Sequence, residues 1–168
     1  MRYHAAMKTL HALVRYNAWG NRRVFDVVTA LEQPLLTEQA RGTIGSIEET
    51  LKHLVGVEEV YLLMLQGRDF NSLEPREAYY AHELTWFRVR SAELGSAYEE
   101  WVAGINDSSL EWPLNITWID VPLTANDGLV QMLTHSAHHR AQVFSTLGDR
   151  GRTVPDLDYV EMLKEAAG

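Results

Sequence analysis

The sequence predicts an all-α bundle of four long helices in a single domain. Three observations carry this. Four long stretches repeat apolar residues at three- and four-residue steps, and chain breakers separate them. A hydrophobic content of 46% in 168 residues suffices for one core. No internal repeat, low-complexity tract or linker divides the chain, so residues 1–168 read as one domain.

The first helix is expected from about Tyr3 to Leu31, with Leu10, Leu13, Val14, Ala18, Phe25 and Val28 on its apolar side and Glu-Gln-Pro ending it. A loop with Pro34, Gly42 and Gly45 leads to the second helix. Ser46 is its N-cap, Glu49 completes a capping box, and Gly67 closes it. The segment after it is turn-like around Asn71 to Pro75. A third helix spans roughly Glu83 to Ile105, with Leu84, Phe87, Leu94, Tyr98 and Trp101 along one side, until Asn-Asp-Ser-Ser breaks the pattern. Leu110 to Leu123 carries two prolines and two tryptophans and is expected to be extended, a small hairpin across one end of the helices. The fourth long helix starts at an N-cap on Asn126 or Asp127 and ends at Gly148. A short fifth helix follows Pro155, with Asp156 in its first turn.

The formal net charge is −8, from 15 Lys and Arg against 23 Asp and Glu. A sequence-independent grip on nucleic acid needs a basic surface, so the charge argues against that role. No apolar run is long enough to span a membrane, and the first 20 residues lack the apolar core of a signal peptide. With no cysteine there is no disulfide and no thiolate ligand or nucleophile. The expectation is a cytoplasmic protein acting on a small molecule.

One stretch stands apart. "LTHSAHHRAQVFSTLG", from Leu133 to Gly148, holds three of the seven histidines within five residues. On a helix, His135 and His139 lie one turn apart on one face, a spacing that places two imidazoles on one metal ion. His135 with His138 is the geometric alternative, but that pair diverges by about 60° around the axis against about 40°. The best third ligand is His53, alone among Val57, Val60 and Met64 on an apolar face. Glu58 is the charged member of the stripe Ile47, Leu51, Leu54, Tyr61 and Leu65, where a carboxylate is costly unless paired. The plainer alternatives are a hydrogen-bonded core histidine at His53, a solvated face at His135–His139, and a Glu58 reached by water at the bundle's end. His4, His11 and His82 have no spacing partner and read as non-functional.

Taken in order, three segments resemble the DinB/YfiT-like metalloenzyme family over nearly the whole chain. "LVRYNAWGNRRVFDVV" resembles its first helix, with the pattern Tyr-Asn-x-Trp-x-Asn. "GSIEETLKHLVGVEEVYLLML" resembles the second, which bears one metal-binding His. "MLTHSAHHRAQVFSTL" resembles the signature His-x-x-His-His-Arg-Gly-Gln. The resemblance implies an up-down-down-up four-helix bundle, usually a homodimer, and a metal triad of His53, His135 and His139. Ala141 stands where the signature has Gly. That departure predicts slightly looser helix packing and touches no ligand.

The resemblance further implies a divalent ion (zinc, nickel or iron, which ligand type does not separate) acting as a Lewis acid. It implies a transferase or isomerase in which a low-molecular-weight thiol attacks an electrophile. Glu58 is then expected to hydrogen-bond a ligand His or act as a base, and Arg140 to hold an anionic substrate or, more in keeping with its position, an acidic residue of the bundle. His138 flanks the ligands, and Gln142, one turn beyond His139, is expected to donate a hydrogen bond. The alternatives are a metal-dependent hydrolase and a non-catalytic, metal-binding, stress-related dimeric bundle. The face around Trp19 is a possible dimer contact.

Overall fold

Four long helices carry the chain, and side-chain contacts fix their directions. In the computed structural model they are α1 (Tyr3–Val28), α3 (Ile47–Leu65), α5 (Leu84–Gly104) and α7 (Ala125–Asp149). The structure describes residues 3–39, 42, 45–116 and 118–167, the side chains of residues 3–6 excepted, which leaves the His4 ring outside it. Shorter pieces are α2 (Gln33–Leu36), α4 (Arg76–Ala81), α6 (Asp107–Leu110) and α8 (Tyr159–Ala167).

On α1 and α5, Asp26 pairs with Arg88 while Ala18 faces Gly95, so these helices run antiparallel. On α3 and α5, Glu59 meets Arg90 and the Leu65 carbonyl accepts from Trp101, so these are parallel. On α3 and α7, His53 meets His135 while Tyr61 faces Gly128, again antiparallel. On α1 and α7, Asn17 approaches Met132 and Asn21 reaches Arg140, hence parallel. The result is up-down-down-up. The parallel α3–α5 pair is possible because residues 66–83 return the chain to the end of the bundle where α3 begins. Val24, Phe25, Leu51, Leu54, Phe87, Leu94, Leu129, Met132 and Leu147 fill the core between the four helices. At Gly95 a methyl would stand 2.8 Å from the Ala18 Cβ, so the missing side chain sets the close approach of α1 and α5.

Several local expectations are corrected. The first helix ends at Val28, before Leu31. The N-cap of α7 is Thr124, and neither Asn126 nor Asp127. The Thr124 hydroxyl accepts from the Asp127 N–H, and the Asp127 carboxylate accepts from the Thr124 N–H at 2.8 Å, a reciprocal box that starts the helix as soon as the strand ends. The hairpin is real but minimal: β1 (Pro113–Leu114) pairs antiparallel with β2 (Leu123–Thr124). The tail helix begins at Tyr159, and Asp156 lies before it, its carboxylate accepting from the Asp158 N–H. Residues 76–81, between the turn around Asn71 to Pro75 and the third long helix, form α4, a helix not among those expected. Ala141 is exposed, so it looks out of the bundle and loosens no helix contact.

The Trp19 face is also not a free surface, because α8 covers it within the chain. Trp19 Nε1 donates to Glu165 at 2.8 Å, and Arg22 pairs with the same carboxylate. The Tyr16 hydroxyl donates to the Leu157 carbonyl at 2.7 Å. Among the described residues no helix is long and apolar enough to cross a membrane.

Candidate metal centre

The α3–α7 seam brings three imidazoles together. His53 comes from α3, and His135 and His139 come from successive turns of α7. His53 Nε2 lies 3.2 Å from His135 Nε2, and His139 Nε2 lies 3.1 Å from it. One nitrogen from each of the three falls within 4.8 Å of the others. At ordinary zinc–imidazole bond lengths a tetrahedral site spaces its nitrogens about 3.3 Å apart, so these contacts already approach ligand geometry.

Hydrogen bonding fixes one tautomer. Gln142 Nε2 lies 2.9 Å from the Gly42 carbonyl, which only accepts, so that atom is the amide nitrogen. Gln142 Oε1 therefore faces His139 Nδ1 at 2.7 Å, and Nδ1 carries the proton. The lone pair of His139 is then on Nε2, directed at the other two rings. A single proton on His135 Nε2 could bridge to one neighbour but not to both. A cation shared by all three satisfies the cluster in a way that hydrogens do not. His135 Nδ1 is buried and has no hydrogen-bond partner among the described residues. The acceptor that usually backs a ligating imidazole is thus present for His139 and not for His135.

The electrostatics favour neutral rings. Desolvation by burial, then the charges of His139, His53 and His138, push the His135 pKa down to about 4. Burial likewise lowers His53, helped by His139 and Arg76. Burial lowers His139 against an opposing hydrogen bond from Gln142. Near pH 7 all three therefore present lone pairs, the form a metal needs. These shifts also make a stability prediction. The folded pKa values lie below the ordinary 6.5, so the unfolded chain binds more protons between pH ~6.5 and ~4. Metal-free protein should lose stability as pH falls through that window. A urea titration series from pH 7.5 to 4.5 should show it, with a shallower slope in the variant carrying His53→Leu, His135→Leu and His139→Leu together.

His138 is not part of the cluster. Its ring is exposed on α7 and its Nε2 accepts from Gln142 Nε2 at 2.8 Å. Gln142, expected as a donor, both donates to Gly42 and His138 and accepts from His139. His82 pairs with Glu74 at 2.8 Å and stacks on Trp86, away from the three rings.

Glu58 and Arg140 meet in a second, buried layer. Glu58 is 1% exposed and Arg140 2%. The Glu58 carboxylate accepts from Asn17 Nδ2 at 2.7 Å, from Asn21 Nδ2 at 2.9 Å and from Ser136 Oγ at 2.6 Å. Arg140 Nη1 donates to the Asn17 and Asn21 side-chain oxygens at 2.6 and 2.7 Å. Two amides thus relay an opposite-charge pair that joins α1, α3 and α7. Neither Glu58 nor Arg140 hydrogen-bonds a ligand imidazole among the described residues. In the sequence Asn17 and Asn21 stand out only as part of the Tyr-Asn-x-Trp-x-Asn pattern, without a role, and Ser136 does not stand out. The available signal was two asparagines four residues apart on the inward face of α1.

A cleft of about 770 Å³ reaches two of the three imidazoles, His53 and His135. Val57, Val60, Tyr79, Tyr80, Phe70 and Trp118 also line it. A ligand on the imidazoles could therefore be reached from solvent.

The fold has counterparts among known proteins. A family profile described as the DinB family matches residues 5–167. The chain belongs to the DinB family. Solved structures agree on the fold of this DinB chain. A DinB-like protein from Bacillus cereus ATCC 10987 is 18% identical with a TM-score of 0.63, covering 84% of this chain and 90% of that one. The DinB-like protein YjoA from Bacillus subtilis is 14% identical with a TM-score of 0.65, covering 87% and 97%. YfiT from Bacillus subtilis, described as a probable metal-dependent hydrolase with an unusual four-helix bundle topology, is 12% identical with a TM-score of 0.68, covering 88% and 89%. No curated protein matches the chain.

Proposed function

We propose that this DinB protein is a metal-dependent enzyme that transfers a low-molecular-weight thiol to an electrophilic small molecule. The carrying observation is the convergence of three neutral imidazole nitrogens, two of them from residues that line an open cleft. The residues that would hold the ion are His53, His135 and His139, with Gln142 fixing the His139 ring. A divalent ion there supplies a Lewis acid that lowers the pKa of a bound thiol or water.

The protein's own groups favour a thiol over water as nucleophile. Glu74, the carboxylate lining the cleft, is engaged by His82. Glu58 accepts three hydrogen bonds in the layer behind the imidazoles. Among the described residues the cleft thus lacks a free carboxylate to take a proton from water. A thiol, with an ordinary pKa near 8.5, needs far less help to ionise. We assign Glu58 and Arg140 a positioning role: their network sets the register of α3 against α7 and hence the meeting of His53 with His135 and His139. The homodimer implied by the resemblance belongs to this reading, with a face other than the α8-covered Trp19 surface.

Metal-dependent hydrolysis is the second reading, favoured by the description of YfiT. One experiment separates them. Metal-loaded protein is offered a panel of electrophiles with and without several low-molecular-weight thiols, and esters and amides without thiol. Turnover that requires both metal and thiol is expected. Thiol-independent cleavage of an ester or amide would replace the first reading by the second, and metal-dependent stability without turnover would leave a non-catalytic bundle.

A further inference from the structure

One wall of the cleft is built by α4, and α4 is firmly seated on α3. The Tyr79 hydroxyl donates to Glu59 at 2.8 Å, and Lys52 Nζ donates to the Tyr80 carbonyl at 3.1 Å. Gly56 lets Tyr80 lie close to α3, since a methyl there would meet the Tyr80 hydroxyl at 3.1 Å. Arg76 opens this helix and lines the cleft. Its guanidinium carbon sits 5.6 Å from the centre of the Tyr80 ring. Stacking on a ring face leaves the N–H edges of a guanidinium available for a planar anion. Among the described residues no carboxylate pairs with Arg76, and it is the one Lys or Arg side chain lining the cleft.

In a chain of net charge −8, an unpaired cation beside the three-His group is a local exception. The surrounding wall is aromatic and partly unsatisfied. Trp118 is 56% exposed and stands edge-on to Phe70, ring centres 5.3 Å apart. A flat apolar molecule would cover both. The one carboxylate nearby, Glu74, is engaged by His82.

We propose that the cleft takes an organic carboxylate whose flat apolar body lies on Trp118 and Phe70 and whose carboxylate pairs with Arg76, leaving its other end toward the imidazoles. The inference rests on the reading of this cleft as the substrate site, and it names that substrate's class. Arg76 is the specificity-determining residue.

The test uses two probes of equal shape, 4-phenylbutanoate and 4-phenylbutanamide. Their binding is measured by titration calorimetry and ligand-observed NMR to the full-length protein, zinc-loaded and metal-free. Wild-type protein should prefer the carboxylate by about threefold to fivefold, the upper part of the range for one exposed ion pair. Arg76→Gln should reduce the preference to within about twofold without changing amide binding, and Arg76→Lys should retain part of it. Trp118→Ala should weaken both probes alike. Because Arg76 supplies the anion contact, the preference should persist without zinc. A preference that survives Arg76→Gln and vanishes on zinc removal would overturn the proposal and leave the metal reading intact. An Arg76-dependent preference in a protein that binds no zinc would do the reverse. Wild-type protein that binds neither probe, or shows no preference, would also overturn it.

Discussion

Protein carrying His135→Ala is expected to lose stoichiometric binding of a divalent ion. His135 Nε2 is the nitrogen in contact with both other imidazoles, at 3.1 and 3.2 Å, so its removal leaves two donors and an opened site. His53→Ala and His139→Ala should have the same effect, since two imidazoles alone make a weak site. His138→Ala should retain the ion, because that ring is exposed and bonds only to Gln142. Gln142→Leu takes away the acceptor for His139 Nδ1 and should weaken affinity about 10- to 100-fold without abolishing binding. Elemental analysis of tag-free protein, with chelator competition for the affinities, checks the series. Full occupancy in His139→Ala would refute the triad.

Arg140→Met should destabilise the fold more than a typical core substitution. The guanidinium is buried, and its pKa is lowered by desolvation while Glu58 and Tyr16 oppose the shift. Its loss strands the Asn17 and Asn21 oxygens and leaves the Glu58 carboxylate without its balancing charge. Breaking one side of a buried pair costs about 3–5 kcal/mol. For a chain of this size that corresponds to a fall in Tm of roughly 6–20 °C. Glu58→Gln should be damaging for the same reason. The double variant Glu58→Gln/Arg140→Met should cost less than the sum of the singles, because it removes both charges together. Additive losses in a thermal melt would show that the two side chains are not coupled through the asparagines.

The bundle was legible because long apolar periodicities are redundant. The Ser46–Glu49 box and the left-handed Gly67 mark the ends of α3 in sequence as they do in space. His135 and His139 were legible for a similar reason, since helical geometry alone puts residues four apart on one face. His53 needed more, because no local rule says which face of α3 meets α7. Spacing left it a candidate, and the resemblance singled it out. Glu58 announced a cost without naming its remedy, as Asn17 and Asn21 lie some 40 residues away on another helix. Thr124 is not distinguished in the sequence because Asn126 and Asp127 are also good caps, and the choice depends on where the hairpin ends. Arg76 and Trp118 were invisible as partners. Arg76 opens a six-residue helix and Trp118 lies in the excursion between β1 and β2, and tertiary contacts such as Tyr79 with Glu59 set the placement of α4.

Two of the three clustered nitrogens belong to residues four apart on one helix, and the third lies 82 residues from His135. An ion shared by all three closes a large loop, and the entropy of that closure is lost only once α3 has docked on α7. The α7 pair would hold an ion weakly during folding, and full affinity would appear only with the finished seam. A bound ion would then favour the docked α3–α7 seam over its parted form, making the centre a clasp on the bundle.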